Sequence, residues 1–291
     1  MQQDKVAILT TVRDDDFFLK KWVDYYGGMF GKEALYVINH GNQAAVRNIA
    51  AGCNLFPIPD GDRRKFNVLN WRTKNHLMQA LLRWYHVVIV CDVDEFVVID
   101  PATGHDLRSW LDANTGRTVR TAMGLEVTHL PSEEPEPVNG SILGPRRWAQ
   151  MNCFYAKPCI ISRKTKLSRG GHYAEHDTLD MPDCLYMFHM KYCDYDLYVD
   201  TLNRRRAIID GMNIESTKDT TTNIQWFAQN RDDDGTFRAF EERPRDRSWD
   251  FSPYRKQFHD SWGPRGHNLY HFKRANPKEL FQIPERFGGI C

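Results

Sequence analysis

The sequence lacks several features that would assign it to a membrane, secreted or nucleic-acid-binding class. No apolar run approaches the ~20 residues of a membrane-spanning helix, and the first residues, MQQDKVAILTT, lack the long apolar core of a secretory signal. Its 39 lysines and arginines balance 38 aspartates and glutamates, so the net charge of +1 gives no global field for nucleic acid or an acidic membrane. The seven cysteines include no C-x-x-C pair, which favours free thiols in a reducing compartment. We therefore expect a cytoplasmic protein with no nucleic-acid partner.

The composition that remains is that of an ordinary globular protein. Hydrophobic residues make up 41% and charged residues 26% of the 291 positions, enough for one large domain or two fused lobes. Over about the first hundred residues, apolar runs typical of strands alternate with segments of helical periodicity. This alternation predicts a parallel, Rossmann-like α/β sheet flanked by helices. No G-x-G-x-x-G follows the first strand, so the dinucleotide-binding fingerprint is missing.

The individual elements are predicted from local patterns of apolar residues. Strands are expected at residues 5–12, 35–39, 54–59, 87–90, 118–127, 153–163 and 184–191. Helices are expected at residues 18–26, 72–85, 106–113, 195–209 and 222–230, and Gly27 and Gly28 are expected to end the first of them. The proline-, glycine- and charge-rich residues 131–147 predict a loop and a mobile lid, and residues 231–291 show little periodicity.

The run VVIVCDVDEF at residues 87–96 carries the strongest functional signal. Four apolar residues predict a buried strand, which changes abruptly to Asp92, Asp94 and Glu95. Because side chains two apart in a strand share a face, Asp92 and Asp94 point together beyond the strand end, and Glu95 points to the other face. Carboxylates there suit a hard divalent cation with a phosphorylated ligand. The alternative is a charged surface turn, but the apolar residues 96–99 follow and would place these carboxylates against a core.

Polar residues also follow the first two predicted strands. The carboxyl ends of parallel strands meet at one edge of a sheet, where α/β proteins bind their ligands. We therefore expect one crevice whose base and ribose pocket is lined by Thr10, Thr11, Arg13, Asn39 and Asn42.

Three blocks in this order, VAILTTVRD, WRTKNHLMQAL and VVIVCDVDEF, resemble the nucleotide-sugar half of a GT-A glycosyltransferase. The chain is most similar to the family-2-like bacterial branch whose metal motif reads D-x-D-E-F, and it also resembles glycosyltransferase family 92. Later blocks match in order at residues 157–163, 170–172 and 187–192, so the resemblance covers most of residues 5–195. The chain departs from the pattern at Asn39 and His40, where many relatives carry an aspartate.

The resemblance implies a GT-A fold, with a mostly parallel central sheet, a mixed acceptor-side half and an irregular C-terminal extension. Residues 1–230 would form the glycosyltransferase domain. Within it, residues 1–100 would bind the nucleotide sugar and residues 101–230 would face the acceptor. Residues 231–291 would pack on this core as the extension.

The implied activity is metal-dependent transfer of a hexose from a UDP- or GDP-sugar to a saccharide or lipid-linked glycan, in polysaccharide biosynthesis. Mn²⁺ or Mg²⁺ would neutralise the leaving diphosphate. By the resemblance, Asp94 coordinates the metal, and Asp92 binds the ribose or reaches the metal through water. His172 and His189 are candidate further ligands, with a hydrogen-bonded structural histidine as the alternative for each. His189 is favoured because it ends a strand beside Lys191, where a pyrophosphate would fit.

An inverting transfer, which we favour, needs a general base for the acceptor hydroxyl, whereas a retaining one does not. The insert HYAEHD supplies Asp177 as the first choice and Glu175 as the second, against the alternative of a solvated loop.

Several further residues are weaker candidates. Lys74 would reach a phosphate from its helix, and Arg204–Arg206 would bind phosphates of the donor or of a lipid-linked acceptor at peripheral contact with a membrane. A solvated helix face is the alternative for these cations. Possible sugar-stacking platforms, with core packing as the alternative, are Trp71, Trp148 and Trp226.

Two other functional classes compete with a glycosyltransferase. A haloacid-dehalogenase-type phosphatase also carries D-x-D after an apolar strand, but normally after the first strand of its fold. A non-catalytic sugar- or nucleotide-binding protein on a GT-A frame is the other alternative. Turnover of the donor would separate these classes.

Overall fold

The computed structural model describes residues 6–60, 66–210, 233–275 and 277–291, so the predicted helix at 222–230 and Trp226 lie outside the described residues. The helices are α1 Asp16–Phe30, α2 Ala44–Ile49, α3 Phe66–Leu81, α4 Leu107–Ala113, α5 Tyr195–Asp210, α6 Asp233–Glu241 and α7 Ser252–Asp260. The first strands are β1 Val6–Val12, β2 Leu35–His40, β3 Asn54–Ile58, β4 Val87–Val90, β5 Glu95–Ile99, β6 Val119–Thr121 and β7 Met123–Thr128. The later strands are β8 Trp148–Met151, β9 Pro158–Ile161, β10 Leu185–Tyr192, β11 Arg245–Asp246, β12 Gly263–Gly266, β13 Leu269–His271 and β14 Leu280–Gln282.

The first sheet has the order β3-β2-β1-β4-β9-β6. Its first four strands are parallel, which confirms the α/β sheet predicted for the start of the chain, while β9 is antiparallel to both β4 and β6. One side of the sheet packs against Trp22 and Tyr26 of α1, and another apolar cluster joins it to Met78 and Leu81 of α3. The carboxyl ends of β1, β2 and β4 therefore meet at one edge, as the sequence predicts.

The second sheet has the order β11-β14-β8-β7-β10-β5. Its edge strand β5 follows β4 after only residues 91–94, so the acidic turn connects the two sheets. Strand β14, near the end of the chain, pairs antiparallel with β8. The later residues are thus more regular than predicted, because they contribute α6, α7 and four short strands.

Four predicted elements differ from the structure. One is the strand predicted at 153–163, of which only β9 at Pro158–Ile161 forms. Helix α1 continues through Gly27 and Gly28 and ends at Gly31, whose φ is +83°. The burial of its apolar face outweighs the low helix propensity of the two glycines. The predicted strand at 118–127 is divided into β6 and β7, because the chain passes from the first sheet to the second at Ala122. Helix α3 lies earlier in the chain than its predicted range of 72–85.

The proline-rich segment at residues 131–147 is a loop, as predicted, and it is held by a buried arginine. The Arg146 guanidinium contacts an Asp194 carboxylate oxygen at 3.0 Å and donates to the Glu136 carbonyl oxygen at 2.9 Å. These bonds fasten the segment to the start of α5.

Across the described residues, the helices all fall short of the length and apolar character needed to span a bilayer.

An ion pair near the end of the chain provides a pH-dependent prediction. Arg286 Nε and Nη2 lie 2.6 and 2.8 Å from the two carboxylate oxygens of Asp100. Partial burial raises the pKa of Asp100, but the bonds from Arg286 and the Ala102 amide outweigh it and lower the pKa below 3.8. The ion pair therefore stabilises the fold above the unfolded-state pKa, and this contribution is lost as pH falls through the folded-state pKa.

We expect Arg286→Gln to lower the free energy of unfolding by about 1 kcal/mol at neutral pH. The difference from wild type should shrink as pH falls from the unfolded-state pKa of an aspartate, about 3.9, through the lowered folded-state pKa of Asp100. Urea unfolding across this pH range measures both quantities, and Arg83→Gln is the control because Arg83 is exposed. A difference that stays constant over the whole pH range would contradict the expectation.

Candidate functional site

The acidic turn between β4 and β5 has two solvent-facing carboxylates and one buried carboxylate. The side chains of Asp92 and Asp94 are 40% and 22% exposed, whereas that of Glu95 is 1% exposed. The Asp92 amide donates to a Glu95 carboxylate oxygen at 2.8 Å, and the Met190 amide donates to the Asp94 carbonyl oxygen at 2.9 Å. Hydrogen bonds to the Glu95 side chain and the Met190 amide therefore hold the backbone of the turn, while Asp92 and Asp94 face solvent.

Two buried lysines flank the turn. Lys74 of α3 forms an ion pair with Asp92, and Lys157 Nζ lies 2.6 Å from Glu95 Oε1 and 3.8 Å from Asp92 Oδ2. Both ammonium groups lie over the Trp71 ring, at 4.6 and 5.9 Å from its centroid. Burial would raise the pKa of Asp92, but the two lysines outweigh it and lower that pKa. Asp92 is therefore a permanent anion between two cations.

His189 of β10 joins the turn to the second sheet. Its Nε2 lies 3.2 Å from Asp94 Oδ2, and its Nδ1 lies 3.1 Å from Glu126 Oε1. This placement follows from the strand register, since His189 pairs with Glu95 of β5 on one side and with Glu126 of β7 on the other. The Tyr155 ring stacks on the imidazole at 3.7 Å. Burial lowers the pKa of His189, but the two carboxylates outweigh it and raise it to about 9.

The sequence assigned no role to Glu126, which contacts His189. Its Oε2 accepts hydrogen bonds from Gln150 Nε2 at 2.9 Å and Asn152 Nδ2 at 3.1 Å. Arg243 in turn donates to the side-chain oxygen of Gln150. A single glutamate inside a buried apolar strand was the available signal, because a buried carboxylate needs partners. The network holds Glu126 so that it fixes the orientation of His189.

Thr10, Thr11 and Arg13, which are predicted to line a base and ribose pocket, lie at the end of β1. The Thr10 and Thr11 hydroxyl oxygens are buried and have no hydrogen-bond partner in the part of the chain that the structure describes. The Arg13 guanidinium forms a two-point ion pair with Asp60, which follows β3, and His40 Nε2 lies 3.9 Å from the same carboxylate. Asp60 thus places an acidic group next to His40, at the end of β2.

Asn39 and Asn42 are bound within the loop after β2. The Asn39 side chain donates to the Gln43 carbonyl oxygen at 3.0 Å and accepts from the Gln43 amide at 2.8 Å. Asn42 has a positive φ of 49° and accepts a hydrogen bond from Arg47 at 2.8 Å. Both side chains thus shape the loop beneath the predicted pocket.

His172 and Lys191 have different partners. His172 Nδ1 lies 2.7 Å from the Phe154 carbonyl oxygen, and burial followed by the charge of Lys157 lowers the pKa of His172 to about 4. Lys191 Nζ donates to the Tyr192 hydroxyl at 3.1 Å and lies 4.7 Å from that ring's centroid. Of the two histidines, only His189 contacts Asp94 among the described residues.

The two candidate bases lie in an exposed loop. The Glu175 amide donates to the Lys166 carbonyl oxygen at 3.0 Å, and the Asp177 carboxylate accepts from the Thr178 hydroxyl at 3.3 Å. No hydrogen bond or ion pair among the described residues joins either carboxylate to the acidic turn. A general-base role for Asp177 or Glu175 stays a prediction.

The arginine run of α5 divides between its own helix and the acidic turn. Arg204 and Arg206 donate to side chains of α5. Arg205 is half-buried, and Asp94 and Asp15 act on it electrostatically. Burial and then the charge of Asp94 raise the pKa of Asp15 to about 7. Arg205 is therefore the member of this run whose charge acts on Asp94, and phosphate binding by the arginines stays a prediction.

The two described tryptophan candidates are packed inside the protein. Trp71 is buried beneath Lys74 and Lys157, and a side chain on Gly171 would collide with its ring at 2.4 Å. Trp148 is also buried, and its indole Nε1 donates to Glu133 at 3.0 Å. Core packing, the alternative to sugar stacking, therefore accounts for both.

The residues around the turn fit a hard divalent cation that is shared with a ligand. Asp94 and His189 place an oxygen and a nitrogen 3.2 Å apart, and the second Asp94 oxygen has no hydrogen-bond partner among the described residues. No three histidine, cysteine or carboxylate side chains in that part of the chain form a complete metal site. Mg²⁺ commonly takes one or two carboxylates and completes its shell with substrate phosphates and water. The donor set matches that pattern.

Comparison with known proteins gives little more. No protein-family model matches the chain, and no curated protein matches it. Among solved structures, a mannose-1-phosphate geranyltransferase from Thermus thermophilus is similar at 16% identity, covering 76% of this chain and 70% of that one, with a TM-score of 0.30. A TM-score this low carries no weight for fold or function, which have to be argued from the geometry of the acidic turn.

Proposed function

We propose that this protein is a metal-dependent glycosyltransferase of the GT-A type. It would transfer a hexose from a UDP- or GDP-sugar to a saccharide or lipid-linked glycan, in the synthesis of a polysaccharide or glycolipid. The observation that carries the proposal is the acidic turn itself. Asp92 and Asp94 face solvent at the carboxyl end of β4, between the cations Lys74, Lys157 and His189. Alternating fixed charges of this kind suit a cation together with a diphosphate.

The sheet order supports the same proposal. The four parallel strands β3, β2, β1 and β4 bring the loop ends of the predicted nucleotide pocket to the edge that holds the acidic turn. Ligands of open α/β sheets bind in the crevice beyond the carboxyl ends of the strands. The antiparallel strands that follow supply Lys157 and His189 from the other side. A donor would thus lie along β1 with its diphosphate at β4.

The proposed reaction gives a role to each of the residues around the acidic turn and the predicted pocket. Thr10, Thr11 and Arg13 would bind the base and ribose. Asp94 would hold Mn²⁺ or Mg²⁺ together with His189, which is protonated without the cation and would release its Nε2 proton to coordinate it. When bound, the cation acts as a Lewis acid that neutralises the leaving diphosphate. Lys74 and Lys157 fix the position of Asp92 and keep it ionised.

In an inverting reaction, Asp177 would take the proton of the acceptor hydroxyl, with Glu175 as the second choice. Both carboxylates are exposed, so a bound acceptor could reach them. The proposal places the reaction in the cytoplasm, because the donor nucleotides and reduced thiols belong to that compartment.

Thermal unfolding with added nucleotides tests the proposal. Wild type, Asp94→Asn and the control Asp112→Asn would be heated with UDP, GDP, CMP and NAD, each with and without Mn²⁺. We expect one nucleoside diphosphate to stabilise wild type and the control only with Mn²⁺, by about 2.7 kcal/mol at a hundredfold excess over Kd. Asp94→Asn should lose this stabilisation.

Three outcomes would contradict the proposal. Stabilisation that needs no Mn²⁺, or that survives Asp94→Asn, would remove the role given to the acidic turn. Release of phosphate from simple monoesters would support a phosphatase instead. Nucleotide-sugar binding without turnover in the presence of varied acceptors would support a binding protein.

A further inference from the structure

A surface of arginines and aromatic rings lies close to the cluster around the acidic turn. It consists of Phe154, His172, Tyr173, Arg265 and Arg274, which we call the Arg–aromatic surface. The Arg274 guanidinium carbon lies 4.0 Å from the Phe154 ring centroid, and its Nη2 donates to the Tyr173 hydroxyl at 3.0 Å. The Arg265 guanidinium carbon lies 4.3 Å from the Tyr173 ring centroid. Ring contacts therefore hold both guanidinium groups in fixed orientations.

One short segment connects this surface to the cluster around His189. Asn152 donates to Glu126 and accepts at 3.0 Å from the amide of Phe154, whose carbonyl oxygen contacts His172. Tyr155, the next residue, stacks on the imidazole of His189. The segment thus presents Tyr155 to the cluster and Phe154 to the Arg–aromatic surface, so the two sites are neighbours.

The loop that carries the candidate bases runs along the same surface. Ala174, which precedes Glu175, accepts a hydrogen bond from the Tyr270 amide at 3.1 Å. The Trp262 indole donates to the Asp177 carbonyl oxygen at 2.8 Å. The contacts from Trp262, which precedes β12, and from Tyr270 of β13 therefore hold the loop. Arg265 lies in β12, between these two contacts in the sequence. A molecule bound at the Arg–aromatic surface would lie beside the predicted general base.

The guanidinium groups of Arg265 and Arg274 are available to bind an anion. Both are exposed, and neither forms an ion pair with a carboxylate within the described residues. Arg274 directs one nitrogen to Tyr173, and its other N–H groups have no acceptor among the described residues. A guanidinium fork that is stacked on a ring matches the geometry of a carboxylate or phosphate, and it loses little entropy on binding. The exposed edge of Phe154 can pack against the C–H face of a sugar.

We propose that the Arg–aromatic surface binds an acceptor saccharide that carries an anionic group, a sugar carboxylate or a sugar phosphate. The acceptor role rests on the proposed glycosyltransferase function, whereas binding of the anionic saccharide does not. Arg265 and Arg274 bind the anionic group, and Phe154 contacts the sugar ring. The neighbouring hydroxyl of the saccharide would then face the loop of Glu175 and Asp177.

Calorimetric titration of the full chain with Mn²⁺ and UDP or GDP tests this assignment. The probes are a glucuronate–glucose disaccharide, its neutral diglucose counterpart, glucose 6-phosphate and inorganic sulfate. The double variant Arg265→Gln/Arg274→Gln is compared with the control Arg83→Gln/Arg117→Gln, whose two arginines are exposed elsewhere. We expect one of the two anionic saccharides to have a dissociation constant about 10–100-fold lower with wild type and the control than with the double variant. Whichever saccharide shows this difference identifies the anionic group as carboxylate or phosphate.

Other outcomes would overturn the assignment. In one of them, the acidic and neutral disaccharides bind with equal affinity and glucose 6-phosphate binds no more tightly than they do. This result would show that the anionic group is not recognised. Sulfate binding as tight as that of the saccharides would indicate an adventitious ion only. If no saccharide binds while UDP or GDP with Mn²⁺ still does, this inference fails and the proposed function stands. If an anionic saccharide binds but no nucleotide does, the proposed function fails and the saccharide site stands.

Discussion

Replacing Lys157 with methionine is expected to lower the free energy of unfolding by about 3–5 kcal/mol. The ammonium group contacts Glu95 at 2.6 Å, and both side chains are almost completely buried. Removal of the cation leaves an uncompensated carboxylate in the interior. The free-energy cost of this buried charge is far larger than the stability that the intact pair adds over apolar residues of similar volume. Urea unfolding followed by circular dichroism measures the loss.

Two companion variants distinguish this cause from a simple packing defect. Lys164→Met, at an exposed position close in sequence, should change the free energy of unfolding by less than about 0.5 kcal/mol. Lys157→Met combined with Glu95→Gln should recover most of the lost stability, because the buried charge is removed with its partner. A double variant as unstable as Lys157→Met alone would contradict the explanation.

Replacing Glu126 with glutamine is expected to weaken Mn²⁺ binding by about 10–100-fold, the usual effect of losing a carboxylate that orients a ligand histidine. The Glu126 carboxylate holds Nδ1 of His189, so that Nε2 faces Asp94. A neutral amide orients the imidazole less firmly and makes it a weaker donor to a cation. Electron paramagnetic resonance of free Mn²⁺ during a titration measures the affinity without any substrate.

The control for this variant is Glu134→Gln, at a buried glutamate that contacts Arg147. It should bind Mn²⁺ as wild type does, provided that circular dichroism shows both variants folded. Unchanged Mn²⁺ affinity in folded Glu126→Gln would contradict the orienting role. Absence of Mn²⁺ binding in wild type would instead contradict the proposed cation site itself.

The half of the site that lies close together in sequence could be predicted. An apolar run followed by Asp92 and Asp94 indicated carboxylates at a strand end, and the structure places them at the carboxyl end of β4. Strand alternation indicated which loops share that edge. The prediction of a shared edge succeeds because it depends on the direction of parallel strands, which a local pattern contains. Asp92 and Asp94 lie in a turn after β4 rather than in extended backbone, so the period-two geometry predicted for them does not apply.

The partners of those carboxylates could not be predicted, because strand register and packing bring them in from distant positions. Lys157 looked like an isolated charge before an apolar strand, and Glu126 like an isolated charge within one. Only the pairing of β10 with both β5 and β7 brings Glu126 and His189 together. Similarly, Gly27 and Gly28 looked like a helix end, since local propensity does not include the burial of α1 against the sheet.

The connection of the two sheets through the acidic turn has a consequence for the protein as it is being synthesised. Asp92, Asp94 and Glu95 leave the ribosome together with β4, whereas Lys157 and His189 follow much later. Lys74 is already present to pair with Asp92, but Asp94 and Glu95 lack their partner cations until Tyr192, the end of β10, has emerged. Repulsion among these charges opposes premature burial of the turn, so the docking of β5 on the later strands would close the site only when its cations are present.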